Sequence, residues 1–111
     1  ITDKTMRDIA CELIREKILL NTREEVPHSV AVIIDDYKET EKTDVISAQI
    51  IVEQETQKGI LIGKGASMLK TIGTEARLEI EKTTGKKVFL DLRVKVIKDW
   101  RKKSKDIEKM Y

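Results

Sequence analysis

Apolar positions recur at two different periods along this chain. Near the N-terminus Met6, Ile9, Ala10, Leu13 and Ile14 follow i, i+3, i+4 spacing, with Arg7, Asp8, Glu12, Arg15 and Glu16 between them. One apolar stripe and one wet side predict a helix from residue 3 to about 21, capped by Thr2 or Asp3. It must end before Val26-Pro27, because Pro27 has no N–H and drives Val26 towards extended geometry. The period then drops to two. Over residues 29–37, Val30, Val32 and Ile34 share one face while Ala31, Ile33 and Asp35 share the other. Residues 45–54 repeat the pattern, with Ile46, Ala48, Ile50 and Val52 set against Val45, Ser47, Gln49 and Ile51. Both read as strands, and the polar stretch from Lys38 to Thr43 between them predicts an antiparallel hairpin.

The 3.6 period returns further on. Gln57 to Ile62 has the length of a short helix that delivers the chain to Gly63. Residues 67 to about 84 form the clearest helix, with Leu69, Ile72, Gly73, Ala76, Ile80 and Thr83 in one stripe. Gly73 costs up to ~1 kcal/mol against Ala inside a helix, so close backbone packing on a sheet is expected there. Gly85 marks the end. Residues 87–97 alternate again, with Val88, Leu90, Leu92, Val94 and Val96 on one side and a mostly polar row opposite, so one sheet face is expected to be solvated. In the basic stretch 98–111, Trp100, Ile107, Met110 and Tyr111 are anchors for a last short helix. The predicted order is α-β-β-α-α-β plus a short C-terminal helix. It is an α+β fold with helices packed on one face of a three-stranded sheet, a single domain spanning residues 1–111.

Charge adds a polarity to this plan. The net charge of +2 decides nothing, but residues 23–57 carry three basic and nine acidic side chains while residues 86–111 carry ten basic and four acidic ones. The half that holds the glycine turn is the basic half, as a surface facing an anionic polymer requires. A solvated charge run explains the same numbers. The single Cys11 cannot form an internal disulfide and fits a reducing compartment. No apolar run reaches the ~20 residues of a membrane span. The chain begins at Ile1 rather than Met, which fits a piece of something longer.

Catalytic and cofactor chemistry finds little footing. A P-loop needs four residues between its first glycine and Gly-Lys-Ser/Thr. Here Gly59 and Gly63 enclose three, and Lys64 is followed by Gly65. The dinucleotide fingerprint fails because Met68 stands where its third glycine belongs. His28, beside Pro27, reads as a turn residue. One His and one Cys make no metal site. Asp35-Asp36 and Glu24-Glu25 are neighbours in sequence, and strand alternation is expected to aim each pair at opposite faces. What remains is Gly63-Lys64-Gly65-Ala66 between two helices. Read from the residues alone, it fits two roles equally. One is a plain corner needing positive φ. The other is a cradle for the sugar-phosphate chain of a single-stranded nucleic acid, with Lys64 neutralising a phosphate and Gly65 permitting close approach.

Ile60-Leu61-Ile62-Gly63-Lys64-Gly65-Ala66-Ser67-Met68-Leu69 resembles the signature of a KH domain, in which apolar residues precede a Gly-x-x-Gly loop. The element order is similar to the type II version. Ile14-Arg15-Glu16-Lys17-Ile18-Leu19-Leu20, the run from Thr22 through Pro27-His28-Ser29 to Val32, and Ile72-Gly73-Thr74-Glu75-Ala76-Arg77 resemble the C-terminal KH domain of the Era family of bacterial ribosome-assembly GTPases. So does Val94-Lys95-Val96 followed by Trp100. The resemblance implies a cytoplasmic protein that binds the 3′ end of 16S ribosomal RNA during maturation of the 30S subunit, with peripheral membrane association also implied. It assigns GTP and Mg to a GTPase domain N-terminal to Ile1, and no cofactor to this fragment. The implied RNA-binding residues are Ile60, Ile62, Gly63, Lys64, Gly65, Ala66, Met68, Leu69 and Lys70. The amides near 63–66 and Lys64 hold phosphates, the apolar members support the bases, and Lys70 takes a further phosphate. Arg93 and Lys95 are expected to extend the basic surface, while Arg101, Lys102, Lys103 and Lys105 fit equally a contact with neighbouring ribosomal RNA and a solubilising tail. A module of the same fold that docks on a GTPase domain or a ribosomal protein is the rival. Ala66 departs from the family pattern, which has glycine there; alanine starts a helix well, so the turn is expected to survive.

Overall fold

The computed structural model describes residues 4–23, 26 and 30–100. The expectations placed on Thr2, Asp3, Pro27, His28 and the tail beyond Trp100 lie outside these residues. The elements are α1 (Met6–Asn21), β1 (Ala31–Glu39), β2 (Thr43–Val52), α2 (Glu55–Ile62), a single 3-10 turn (Lys64–Ala66), α3 (Ser67–Thr84) and β3 (Lys87–Val96). The α+β order matches the expected one. α1 begins later than its apolar stripe predicts because Thr5 caps it. The Thr5 hydroxyl accepts the Asp8 N–H at 3.2 Å, and the Asp8 carboxylate accepts the Thr5 N–H at 3.1 Å. This reciprocal pair is a capping box, which ends the helix where two orphan donors find oxygen.

The three strands lie in the order β1-β2-β3. β1 and β2 form the expected antiparallel hairpin, whereas β3 runs parallel to β2, Thr43 facing Lys87 and Val52 facing Val96. The even-numbered face of β2 is the core: Ile46, Ala48, Ile50 and Val52 are buried beside Ile14 and Ile18 of α1, Leu61 of α2 and Ile72, Ala76 and Ile80 of α3. The helices thus cover one face, while Ile33, Val45 and Phe89 stay exposed on the other.

β1 runs two residues beyond its expected end because its register shifts between Ile34 and Asp36. The inserted residue resets the alternation, so Ile34 and Tyr37 both face the core while Asp35 and Asp36 both stay outside. The expectation that these two carboxylates diverge is therefore wrong, and the bulge is the reason. The hairpin connection shrinks to Thr40–Lys42, closed by the Thr40 N–H on the Thr43 carbonyl at 2.8 Å.

Turning Tyr37 inward brings its hydroxyl 2.6 Å from Asp44, a carboxylate with no exposed surface. The Lys86 ammonium closes on the other Asp44 oxygen. Burial works to raise the Asp44 pKa, but hydrogen bonds from Lys86 and Tyr37 and the Lys86 charge outweigh it and hold it below 3.8. Burial, and then the bond to Asp44, pushes the Tyr37 phenol well above its ordinary value. A second carboxylate works nearby. Glu81 accepts the Val88 N–H and an Arg77 N–H, each at 3.0 Å. The Val88 bond is the main reason its pKa is lowered, ahead of the opposing effect of burial and the help of Arg77. Between them Gly85, at φ 72°, turns the chain from α3 into β3.

Breaking the buried pair leaves Lys86 without its counter-charge, so Asp44→Asn is expected to cost about 3 kcal/mol in urea unfolding at pH 7. Because the folded pKa of Asp44 is depressed, its stabilisation is complete above 3.8 and is lost as pH falls through the folded value. The wild type should therefore lose stability in that acid range, and the Asp44→Asn chain should show a flatter profile there.

Candidate nucleic-acid interface

α2 is short and anchored at both ends. The Gln57 side-chain oxygen reaches back to the N–H groups of Glu53 and Gln54 at 3.1 and 3.0 Å. The cap explains why the helix starts at Glu55 rather than Gln57. Leu61 is wholly buried, so its neighbours are held on other sides: Ile62 half-buried, and Ile60 exposed at 41%.

The turn that follows makes three demands on backbone geometry, at Gly63, Gly65 and Ala66. Gly63 adopts φ 73°, ψ 174°, a region open essentially to glycine alone. A Cβ there would lie 2.8 Å from the Met68 Cβ and 2.9 Å from its nitrogen. Gly65 is left-handed at φ 61°, ψ 26°, with open space around it. Ala66 is left-handed as well, at φ 63°, ψ 22°, and forms the N-cap of α3 with no side-chain cap bond. This corrects the idea that alanine suits the position as a helix starter: Ala66 sits outside helical geometry, where a Cβ costs roughly 1 kcal/mol or more. The turn survives because Ala66 donates to the Gly63 carbonyl at 3.2 Å and Ser67 donates to that of Lys64. Lys64 and Gly65 stand exposed at its tip.

A groove of about 410 Å³ leads away from the turn between α3 and β3, lined by Ala66, Leu69, Lys70, Gly73, Thr74, Arg77, Leu90, Asp91 and Leu92. Of the expected residues, Ala66, Leu69 and Lys70 belong to it. Gly63, Lys64 and Gly65 form the turn at its mouth. Met68 packs against the core behind the turn, and Ile60 and Ile62 lie on α2, so these three flank the groove without belonging to this lining. Leu69, Leu90 and Leu92 supply the apolar lining instead. The residues that periodicity missed lie at helical spacing from Ala66, namely Gly73, Thr74 and Arg77, and on β3, which no local pattern connects to α3. Gly73 also has a different role from the expected one. A Cβ there would meet Leu92 at 3.6 Å, an ordinary contact; the missing side chain keeps the groove open.

The two sheet edges are treated differently. Along β1, α1 supplies donors to the outer carbonyls: Arg15 to Val30 at 2.8 Å and Cys11 Sγ to Val32 at 3.2 Å. Burial, the largest influence on it, pushes the Cys11 thiol up and keeps it protonated. Along β3, the Val88 N–H points away from β2 to Glu81, while the Ile97 N–H points to the Val52 carbonyl. Strand alternation then aims the backbone groups of Leu90 and Leu92 outward, into the groove. An unpaired edge is a template for hydrogen bonding. Arg93 and Lys95 lie round the corner on the open face, where Arg93 pairs with Asp91 at 3.3 Å.

The turn does not have the form of a P-loop. It joins two helices instead of leading from a strand into a helix, and its glycine spacing departs from a P-loop. Among the described residues no group of three His, Cys, Asp or Glu side chains is placed to hold a metal, and no helix is long and apolar enough to cross a membrane.

Residues 25–101 match the KH domain family. The chain is a KH domain. Its α-β-β-α-α-β order is the type II order expected from the sequence. It is also similar to two solved structures of Era. One is a point variant of Aquifex aeolicus Era bound to GDP and AlF4−, 44% identical with a TM-score of 0.89. The other is Era in complex with MgGDPNP and nucleotides 1506–1542 of 16S ribosomal RNA, 44% identical with a TM-score of 0.90. Each match covers 97% of this chain and 37% of the Era chain, so this KH domain spans about a third of the length of those proteins.

The left-handed Ala66 generates a prediction. Ala66→Gly should raise stability by up to about 1 kcal/mol, the relief of backbone strain less the added chain entropy of glycine, as measured by urea unfolding. Gly63→Ala should lower it by about 1–3 kcal/mol, since its geometry is closed to alanine and the new methyl meets Met68.

Proposed function

We propose that this KH domain binds single-stranded RNA along the groove between α3 and β3, as the RNA-binding part of an Era-type GTPase. The observation that carries the reading is the continuity of an exposed, uncapped glycine turn with a groove whose far wall is an unpaired strand edge. The turn offers phosphate contacts through backbone amides and the dipole of α3, an 18-residue helix. Lys64 adds charge at the tip and Lys70 on the rim. The leucine lining and the outward backbone groups of Leu90 and Leu92 suit unstacked bases, which need an apolar platform and hydrogen-bonding partners together. Double-stranded RNA, whose bases are already paired, cannot use such an edge.

Similarity to Era in complex with part of 16S ribosomal RNA supports the 3′ end of that RNA as the target and the 30S subunit as the setting, in the cytoplasm. On this reading the chain is the C-terminal domain of a longer protein. GTP and Mg belong to a separate GTPase domain, and the KH domain contributes recognition, not catalysis.

Lys64→Asp combined with Gly65→Asp should abolish binding to single-stranded RNA while the domain stays folded, since Asp is among the residues that visit left-handed geometry and the site has open space. Fluorescence anisotropy checks it; full binding by the folded double variant refutes the loop assignment. Wild-type affinity should fall with salt at a slope of about −0.7 per phosphate contacted, whereas a salt-independent interaction points to the rival role as a protein-docking module. Gly73→Ala should gain up to about 1 kcal/mol of stability yet lose RNA affinity, because the methyl narrows the groove.

A further inference from the structure

The groove has two ends of different chemistry. At its mouth stands the glycine turn, where phosphates are held. Ala66 at the N-cap of α3 and Arg77 eleven residues further on both line it, so it runs for about 16 Å along α3. Arg77 closes the far end. Its Nη1 donates to Glu81 Oε2 at 3.0 Å, and the same oxygen takes the Val88 N–H at 3.0 Å. Glu81 therefore fixes the guanidinium between the last turns of α3 and the start of β3. One of five donors is engaged in that tie, and the rigid fork keeps the others in one plane on a residue that lines the groove.

We propose that Arg77 reads one base at the far end of the groove, a base with two adjacent hydrogen-bond acceptors, and that Glu81 is its positioning residue. This rests on the RNA-binding reading given above. A phosphate role suits Arg77 less. The Glu81 carboxylate at 3.0 Å offsets its charge and would repel a phosphate, while Lys64 and Lys70 already serve the backbone. A neutral base edge feels no such repulsion, and a planar fork held in one orientation selects by geometry. Guanine offers O6 and N7 as an acceptor pair, and cytosine offers O2 and N3. Adenine sets an amino donor beside its N1 and N7, and uracil sets N3–H between its carbonyls. Arg77 should accordingly favour guanine or cytosine at a single position.

The test uses single-stranded uridine octamers through which one guanine, cytosine or adenine is walked, with anisotropy as readout. The wild type should show one position where guanine or cytosine binds about tenfold tighter than adenine or uracil. Arg77→Lys keeps the charge but not the fork, so the preference there should collapse to within about twofold, while affinity for all-uridine RNA falls by less than affinity for the preferred oligomer. Glu81→Gln should weaken the same preference more than it weakens all-uridine affinity, whereas a purely structural role would weaken binding of every oligomer equally. Circular dichroism melting establishes that each variant is folded. The proposal is overturned if Arg77→Lys retains the preference. It is also overturned if Arg77→Gln weakens every oligomer equally and reduces the salt slope by about one, the mark of a phosphate contact. Failure of the wild type to bind any octamer would instead overturn the RNA-binding reading, and the role of Arg77 with it.

Discussion

The parallel pairing of β3 with β2 is the constraint on which the rest of this KH domain depends. It requires the chain to leave β2 at one end of the sheet and return to the other before β3 can start. The helical crossover makes that return, and the glycine turn is the corner inside it. The pairing also leaves β3 at the edge of the sheet with α3 beside it, and the groove is the space between them. Loosening the start of β3 would therefore disturb the groove and the core together.

Two carboxylates secure that start. Asp44, buried at the head of β2, takes a phenol from β1 and an ammonium from the residue preceding β3. A buried carboxylate alone would cost several kcal/mol; here each oxygen has a partner, so the group fixes register as well as charge. Glu81 ties α3 to the first backbone N–H of β3 that points outward. The tie needs an outward-facing amide, so it marks the edge as open from its first residues. Both carboxylates lie far from the glycine turn in sequence, yet they determine what the turn faces.

The turn itself trades stability for shape. Gly63 is confined by Met68, and Ala66 carries a left-handed strain that glycine would not. Gly73 forgoes helix propensity to leave the groove unfilled. Such local costs are tolerated because α2 and α3 are held by deeply buried residues, Leu61, Ile72, Ala76 and Ile80. The burial of these side chains does not depend on the turn, so the core can absorb a strained corner.

The sequence by itself determined the elements, their order and the turn. Helical and strand periods are local properties, and each glycine announces its backbone freedom where it stands. Gly63-Lys64-Gly65 and the rim lysine Lys70 were legible for that reason, as was Gly85 at the end of α3. Other features needed the tertiary structure. The bulge at Asp35-Asp36 depends on pairing with β2, since nothing in β1 alone says which face Tyr37 must seek. Ile60, Ile62 and Met68 flank the turn in sequence, but only the structure shows that Leu61 takes the buried place on α2 between Ile60 and Ile62 and that Met68 packs on the core. The true far wall, Leu90 to Leu92, and the guanidinium of Arg77 come together with the turn only when β3 returns parallel to β2. Periodicity names the face that a residue presents; it does not name the partner across the gap. That choice belongs to strand order and to the buried charges that hold it.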